Sequence, residues 1–237
     1  MARFLFVHGA AHGAWCWRDV VPELEKLGHI GVAIDLPSHG YDDTPPETVT
    51  LEMYRDAVLA NSTPDTVLVG HSMGGFPIGA AANHAPQALR GLIFVCAYAP
   101  QSGLSLAQMR RQAPRQPLLD AIHKSEDGKT FVIDAAKARD LFYHDCPPEA
   151  ADYAIPRLCR QAILPQETPI DLCAEYIAVP KAYIRCTDDR TIPPEYQITM
   201  TADWPEPSLF ELDCAHSPFF AKPAELARLL DRIERQM

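Results

Sequence analysis

Val69-Gly70-His71-Ser72-Met73-Gly74-Gly75 is the stretch on which the fold turns. The apolar run Thr66 to Val69 precedes it, and an Ala-rich helical pattern, Gly75 to His84, follows it. G-x-S-x-G therefore sits between a buried strand and a helix. In that setting Ser72 is expected to occupy a sharp, strained turn that lifts its hydroxyl above the C-terminal edge of a sheet. Gly70 and Gly74 are expected because side chains there would collide with the neighbouring strand and helix. The bland alternative is a glycine-rich turn that serves packing alone.

Other short, continuous apolar runs flank this one: Phe4 to Val7, Gly31 to Ile34, Leu92 to Ala97, Ala182 to Cys186 and Leu209 to Leu212. Helical patterns lie between or after them, at Asp19 to Leu27, Leu51 to Ala60 and Pro223 to Arg235. Strands alternating with helices predict parallel pairing through right-handed crossovers, hence a doubly wound, mostly parallel α/β sheet. The rhythm breaks between Pro100 and Val179. Leu104 to Gln112, Ala135 to Tyr143, Pro148 to Tyr153 and Pro156 to Ala162 read as short helices cut apart by prolines, with no comparable strand. The expected organisation is a core of residues 1–99 and 180–237, with residues 100–179 inserted as a helical cap.

A serine hydroxyl needs a base to become a nucleophile at neutral pH. After a serine on such a turn, an acid and then a histidine are expected in chain order. Thr187-Asp188-Asp189-Arg190 follows one strand, and Asp213-Cys214-Ala215-His216 follows the next. His216 is the only histidine downstream of Asp189. After the first strand, His8-Gly9-Ala10-Ala11-His12-Gly13 has the form of a loop whose backbone would stabilise an oxyanion, through the amide of Ala10 together with that of Met73. The side chains of His8 and His12 are expected to be buried hydrogen-bonding scaffold.

With 31 acidic and 21 basic residues the formal charge is −10, and no Lys/Arg cluster is present. That balance argues against nucleic acid or an anionic membrane as partner. Seven cysteines without a CxxC pair suit reduced thiols in a cytoplasmic setting better than a disulfide framework or a zinc site. Arg3 leads straight into a four-residue apolar run, too short for a targeting core, and no run approaches the roughly 20 residues of a membrane span. Asp35, His39, Asp42 and Asp43 look like metal ligands on paper, but no metal site and no cofactor is expected. The expected partner is a small-molecule ester, and a homodimer is left open.

Phe6 to Trp17, Ile34-Asp35-Leu36-Pro37-Ser38-His39-Gly40, Gly70 to Gly75 and Ile192 to Gln197, taken in order, resemble the α/β-hydrolase group that contains plant methylesterases, hydroxynitrile lyases and bacterial esterase relatives. The resemblance covers nearly the whole sheet portion and is loose across the insertion. It implies an eight-stranded hydrolase sheet with its first strands trimmed, a helical cap, and a Ser72, Asp189, His216 triad. Asp188 is the rival acid; Asp189 has the motif's spacing of four residues before Pro193. Tyr98, Phe142, Tyr143 and Phe219 are the expected lining of the substrate pocket. The expected activity is a serine carboxylesterase for small, mostly apolar esters, working through an acyl-enzyme on Ser72. Two alternatives are a hydroxynitrile lyase and a non-catalytic small-molecule receptor. Related lyases carry a lysine directly after the catalytic histidine and a threonine directly after the first-loop histidine. Ser217 and Gly9 stand at those positions here, which points to ester hydrolysis.

Overall fold

The computed structural model describes all 237 residues. Its strands, in chain order, are β1 (Arg3–Val7), β2 (Ile30–Ile34), β3 (Thr66–His71), β4 (Gly91–Val95), β5 (Ile122–Lys124), β6 (Thr130–Ile133), β7 (Gln161–Ala162), β8 (Lys181–Cys186) and β9 (Leu209–Leu212). Six of them form one sheet in the order β2-β1-β3-β4-β8-β9, and every neighbouring pair is parallel. The sheet is the parallel one expected, and its apolar runs are continuous because both of its faces are covered. Along β1, Phe4 and Phe6 pack with Trp17, Leu24 and Leu230 on one side, while Leu5 and Val7 pack with Leu51, Tyr54 and Phe76 on the other. Each such buried side chain stabilises the fold by about 1.5–3 kcal/mol relative to exposure. The helix Pro223–Glu234 buries Leu226, Leu229, Leu230 and Ile233, three and four residues apart, and thereby closes the first of these layers.

The strand order places the site. From β1 the chain moves outward to β2, then returns to lay β3 on the opposite side of β1. Loops leaving the C-terminal ends of β1 and β3 therefore diverge and open a crevice, the usual ligand position in an open α/β sheet. Val7 lies opposite Gly70 in this register, so the loop after Val7 and the turn at Ser72 are neighbours.

Between β4 and β8 the chain builds a cap that is not purely helical. The helices Leu106–Gln112, Ala135–Phe142 and Pro148–Ala154 form as expected. A small antiparallel sheet, β5-β6-β7, accompanies them. The expected helix over Pro156 to Ala162 is absent: a 3-10 turn, Ile155–Arg157, leads to β7, where Gln161 and Ala162 pair with Phe131 and Thr130. The strands β5 and β6 leave no pattern in the sequence because they span only three and four residues, with His123 and Lys124 exposed. Their turn has a local cause. Gly128 takes φ +70°, and Asp127 Oδ1 accepts from Ser125 Oγ (2.6 Å) and Lys129 N (3.1 Å). No helix is long and apolar enough to cross a membrane.

Candidate active site

Ser72 has φ +53°, a left-handed conformation that a residue with a Cβ adopts at a cost of about 1–3 kcal/mol. Close packing holds it there. A Cβ on Gly74 would lie 2.6 Å from the Val7 carbonyl oxygen, and one on Gly70 would lie 2.6 Å from the Gly74 carbonyl oxygen. Tyr98 N donates to the Ser72 carbonyl (3.0 Å), tying the turn to the end of β4. These contacts leave room only for glycine beside the serine, on strand and helix sides alike.

His216 reaches this edge from the loop after β9. Its Nδ1 donates to Asp189 Oδ2 at 2.8 Å, with both side chains buried. Asp189 is fixed in turn: Oδ1 accepts from Thr191 N (2.7 Å) and Ile192 N (2.9 Å), and Oδ2 from Gln197 Nε2 (3.0 Å). A carboxylate so completely bonded holds the imidazole in one tautomer, with the proton on Nδ1 and Nε2 left as the basic nitrogen. The rival Asp188 is exposed and meets His144 Nε2 at 2.9 Å, away from His216. Beneath His216, the neighbour of the serine, His71, donates its Nε2 proton to the His216 carbonyl (2.7 Å). Burial pushes the His71 pKa well below the usual histidine value, so it stays neutral and keeps that donor.

The loop after β1 lies against this turn. A Cβ on Gly9 would sit 2.9 Å from Ser72 Cβ. The Ala10 N–H donates to no protein group, which leaves it available to a ligand. The histidines of the loop are buried scaffold. His8 Nε2 accepts from Leu36 N (3.1 Å) while Nδ1 donates to the Gly9 carbonyl (2.9 Å). His12 Nδ1 donates to the Ala10 carbonyl (2.8 Å).

The expected pocket residues are placed differently from one another. Phe142 lies over the His216 ring, 5.7 Å between centroids at 30°. The Tyr143 hydroxyl is taken up by His12 Nε2 (2.7 Å). Tyr98 is buried beside Tyr196. Phe219, on the helix Pro218–Ala221, is wholly buried against Trp17, His71 and Phe220. A small cavity, about 60 Å³, does lie in the cap, lined by Leu119, Ile122, Phe131, Ile163, Arg110 and Gln166 among others. One of its lining residues, Gln166, places its Nε2 3.7 Å from Met73 Sδ. Gln161, Gln166 and Gln197 were not singled out in the sequence, since a buried amide announces itself by no spacing. Asp35 builds turns, accepting from Ala14 N (2.6 Å) and Tyr41 N (3.0 Å). All seven cysteines are free, and the hydrogen bond with the Cys186 thiol, together with burial, pushes the Cys214 thiol far up, so it stays protonated.

Known proteins share this fold. Residues 4–229 match the model of the Alpha/beta hydrolase family. Methylesterase 3 of Arabidopsis thaliana is 30% identical over 245 residues, covering 95% of this chain and 93% of that protein. A pyrethroid hydrolase of Sphingobium wenxiniae is 29% identical, covering 95% and 85%. Among solved structures, a pyrethroid hydrolase from Sphingobium faniae superposes with a TM-score of 0.87 at 27% identity, covering 99% and 97%. Family model, relatives and superposition agree, and the chain belongs to the α/β hydrolase family.

Proposed function

We propose that this protein is a serine carboxylesterase that cleaves small, mostly apolar carboxylic esters through an acyl-enzyme on Ser72. The observation that carries the reading is the buried His216–Asp189 pair at the C-terminal edge of the sheet that also presents the strained Ser72. Ser72 Oγ would attack the ester carbonyl while His216 Nε2 takes its proton; His216 then returns that proton to the leaving alkoxide, and water repeats the sequence on the acyl-enzyme. Asp189 would stabilise the imidazolium without taking its proton. The amides of Ala10 and Met73 would receive the oxyanion. The small cap cavity, apolar at Leu119, Ile122, Phe131 and Ile163 and charged at Arg110, Arg111, Lys124 and Glu167, would take one arm of a small ester. Methylesterases and pyrethroid hydrolases among the relatives support ester chemistry. Free thiols throughout suit a reducing compartment such as the cytoplasm.

A lyase reading is disfavoured at two positions. Ser217 puts no cation beside His216 to balance departing cyanide, and Gly9 has no room for a side chain against Ser72. Purified protein assayed on a p-nitrophenyl ester chain-length series, with Ser72→Ala as blank, tests the proposal. Short esters are expected to turn over, with negligible cyanide released from mandelonitrile. Cyanide release that depends on Ser72, without ester turnover, would reverse the reading.

A further inference from the structure

The loop that carries Ala10 is held by the cap as well as by the sheet. The peptide unit joining Ala10 to Ala11 is gripped at both ends: its carbonyl accepts from His12 Nδ1 (2.8 Å), and its N–H donates to Gln161 Oε1 (3.0 Å). The Tyr143 hydroxyl donates to His12 Nε2 (2.7 Å), which fixes the tautomer that puts the proton on Nδ1. Ala11 itself has φ +60°, unfavourable for a residue with a Cβ, so the unit would relax if released. Gln161 is wholly buried and has no polar atom to spare. Its Oε1 also meets His39 Nε2 (3.0 Å), and its Nε2 donates to Tyr54 Oη and the Ala162 carbonyl, both at 3.1 Å. Two residues further back, Cys159 N donates to the Ala11 carbonyl (2.9 Å).

We propose that Gln161 and Tyr143, both cap residues, are positioning residues for the oxyanion-binding amide of Ala10, so that the cap governs the rate of the chemical step as well as the choice of substrate. The amide in question belongs to the preceding peptide unit, hinged to the gripped one at the Ala10 Cα. Rotation of the gripped unit about that hinge redirects the Ala10 N–H, whereas fixing it aims the donor in advance. Preorganised donors act because no reorganisation is needed when charge develops. The inference rests on the esterase reading, and on no contact between either residue and substrate.

The test measures kcat per titrated active site and KM on p-nitrophenyl acetate, together with inhibition by an aryl trifluoromethyl ketone. The ketone binds serine esterases as a tetrahedral oxyanion adduct and so reports on the hole directly. Since removing an oxyanion donor outright costs on the order of 10²–10³ in kcat, misaiming one through Gln161→Met is expected to cost about 10–100-fold, with the ketone weakened by a similar factor and KM held within about threefold. Tyr143→Phe keeps the ring and removes only the hydroxyl; a loss of about 3–10-fold in both kcat and ketone affinity is expected. Should Gln161→Met fail to fold, Tyr143→Phe decides alone. Unchanged kcat per active site, or lowered kcat without weakened ketone binding, would overturn the proposal and leave these residues as fasteners of the cap. Absence of ester turnover by the wild type would instead sink the esterase reading itself.

Discussion

Ser72, His216 and Asp189 are expected to act as a unit, so removing any one should forfeit most of what the three supply. Ser72→Ala or His216→Ala is expected to lower kcat by about 10⁵–10⁶, and Asp189→Asn by about 10⁴, because the imidazole loses the partner that selects its tautomer. Asp188→Asn should stay near wild type, since its carboxylate faces His144 and solvent. Steady-state assays of the four variants check this, and severe loss at Asp188 with a benign Asp189→Asn would displace the acid. At this scale the chain was legible wherever chemistry forces a residue type into a local pattern. Gly70, Ser72 and Gly74 form such a pattern, and so does an acid and a histidine each placed just after a strand. Gln161 and Gln197 were illegible for the converse reason. Each is defined by partners far away in sequence, Gln161 by Ala11 and Tyr54, and an amide has no charge or nucleophilicity to mark it.

Elements repeat the lesson. The sheet strands were readable because two-sided burial forces continuous apolar runs, and all six lie within one or two residues of expectation. In the cap, β5 and β7 are too short and too polar to show a period, although Asp127-Gly128 between β5 and β6 is a hairpin signal in its own right. Phe142 and Tyr143 pack as cap core, and the cap cavity shifts the expected determinant of chain length to Ile163 and Phe131. Ile163→Ala should move the optimum of the p-nitrophenyl series toward longer acyl chains with little loss in kcat; an unchanged profile would exclude this cavity as an ester subsite. The segment after the helix Ala135–Phe142 also fastens the His216 loop, for Asp145 Oδ2 accepts from Ala215 N at 2.7 Å. Asp145→Ala removes that acceptor and is expected to destabilise the fold by about 1–2 kcal/mol, read as a lower urea midpoint, with Asp145→Asn intermediate.

For the molecule as a whole, the notable charge device is the set of histidines buried along the catalytic edge. His8, His12, His39 and His71 are all held below the usual histidine value, chiefly by burial, with His12 lowered to about 4. In the unfolded chain each titrates near 6.5. Between roughly pH 6.5 and pH 4 the unfolded state therefore binds protons that the folded state refuses, and stability must fall as pH falls through that window. Above about pH 7 both states are neutral at these sites and the effect vanishes. His12, lowered to about 4, contributes across the whole of that window. An opposing effect exists: moving from neutral pH toward the isoelectric point near 5.3 discharges a chain that carries −10, which relieves diffuse repulsion. Charges spread over the surface of a 237-residue protein and screened by salt weigh little against several desolvated imidazoles, so the histidines should win. The carboxylates held below their usual range, Asp42, Asp56, Asp127, Asp134, Glu175, Glu195 and Asp231, lose their contribution only below about pH 4.5 and do not blur the window. Urea denaturation from pH 8 to pH 4.5 at constant ionic strength is expected to give a plateau above pH 7 and then a loss of several kcal/mol, steepening below pH 6.5. A stability maximum near pH 5 would mean that charge relief outweighs the buried imidazoles, and that this edge of the sheet tolerates protonation its packing should forbid.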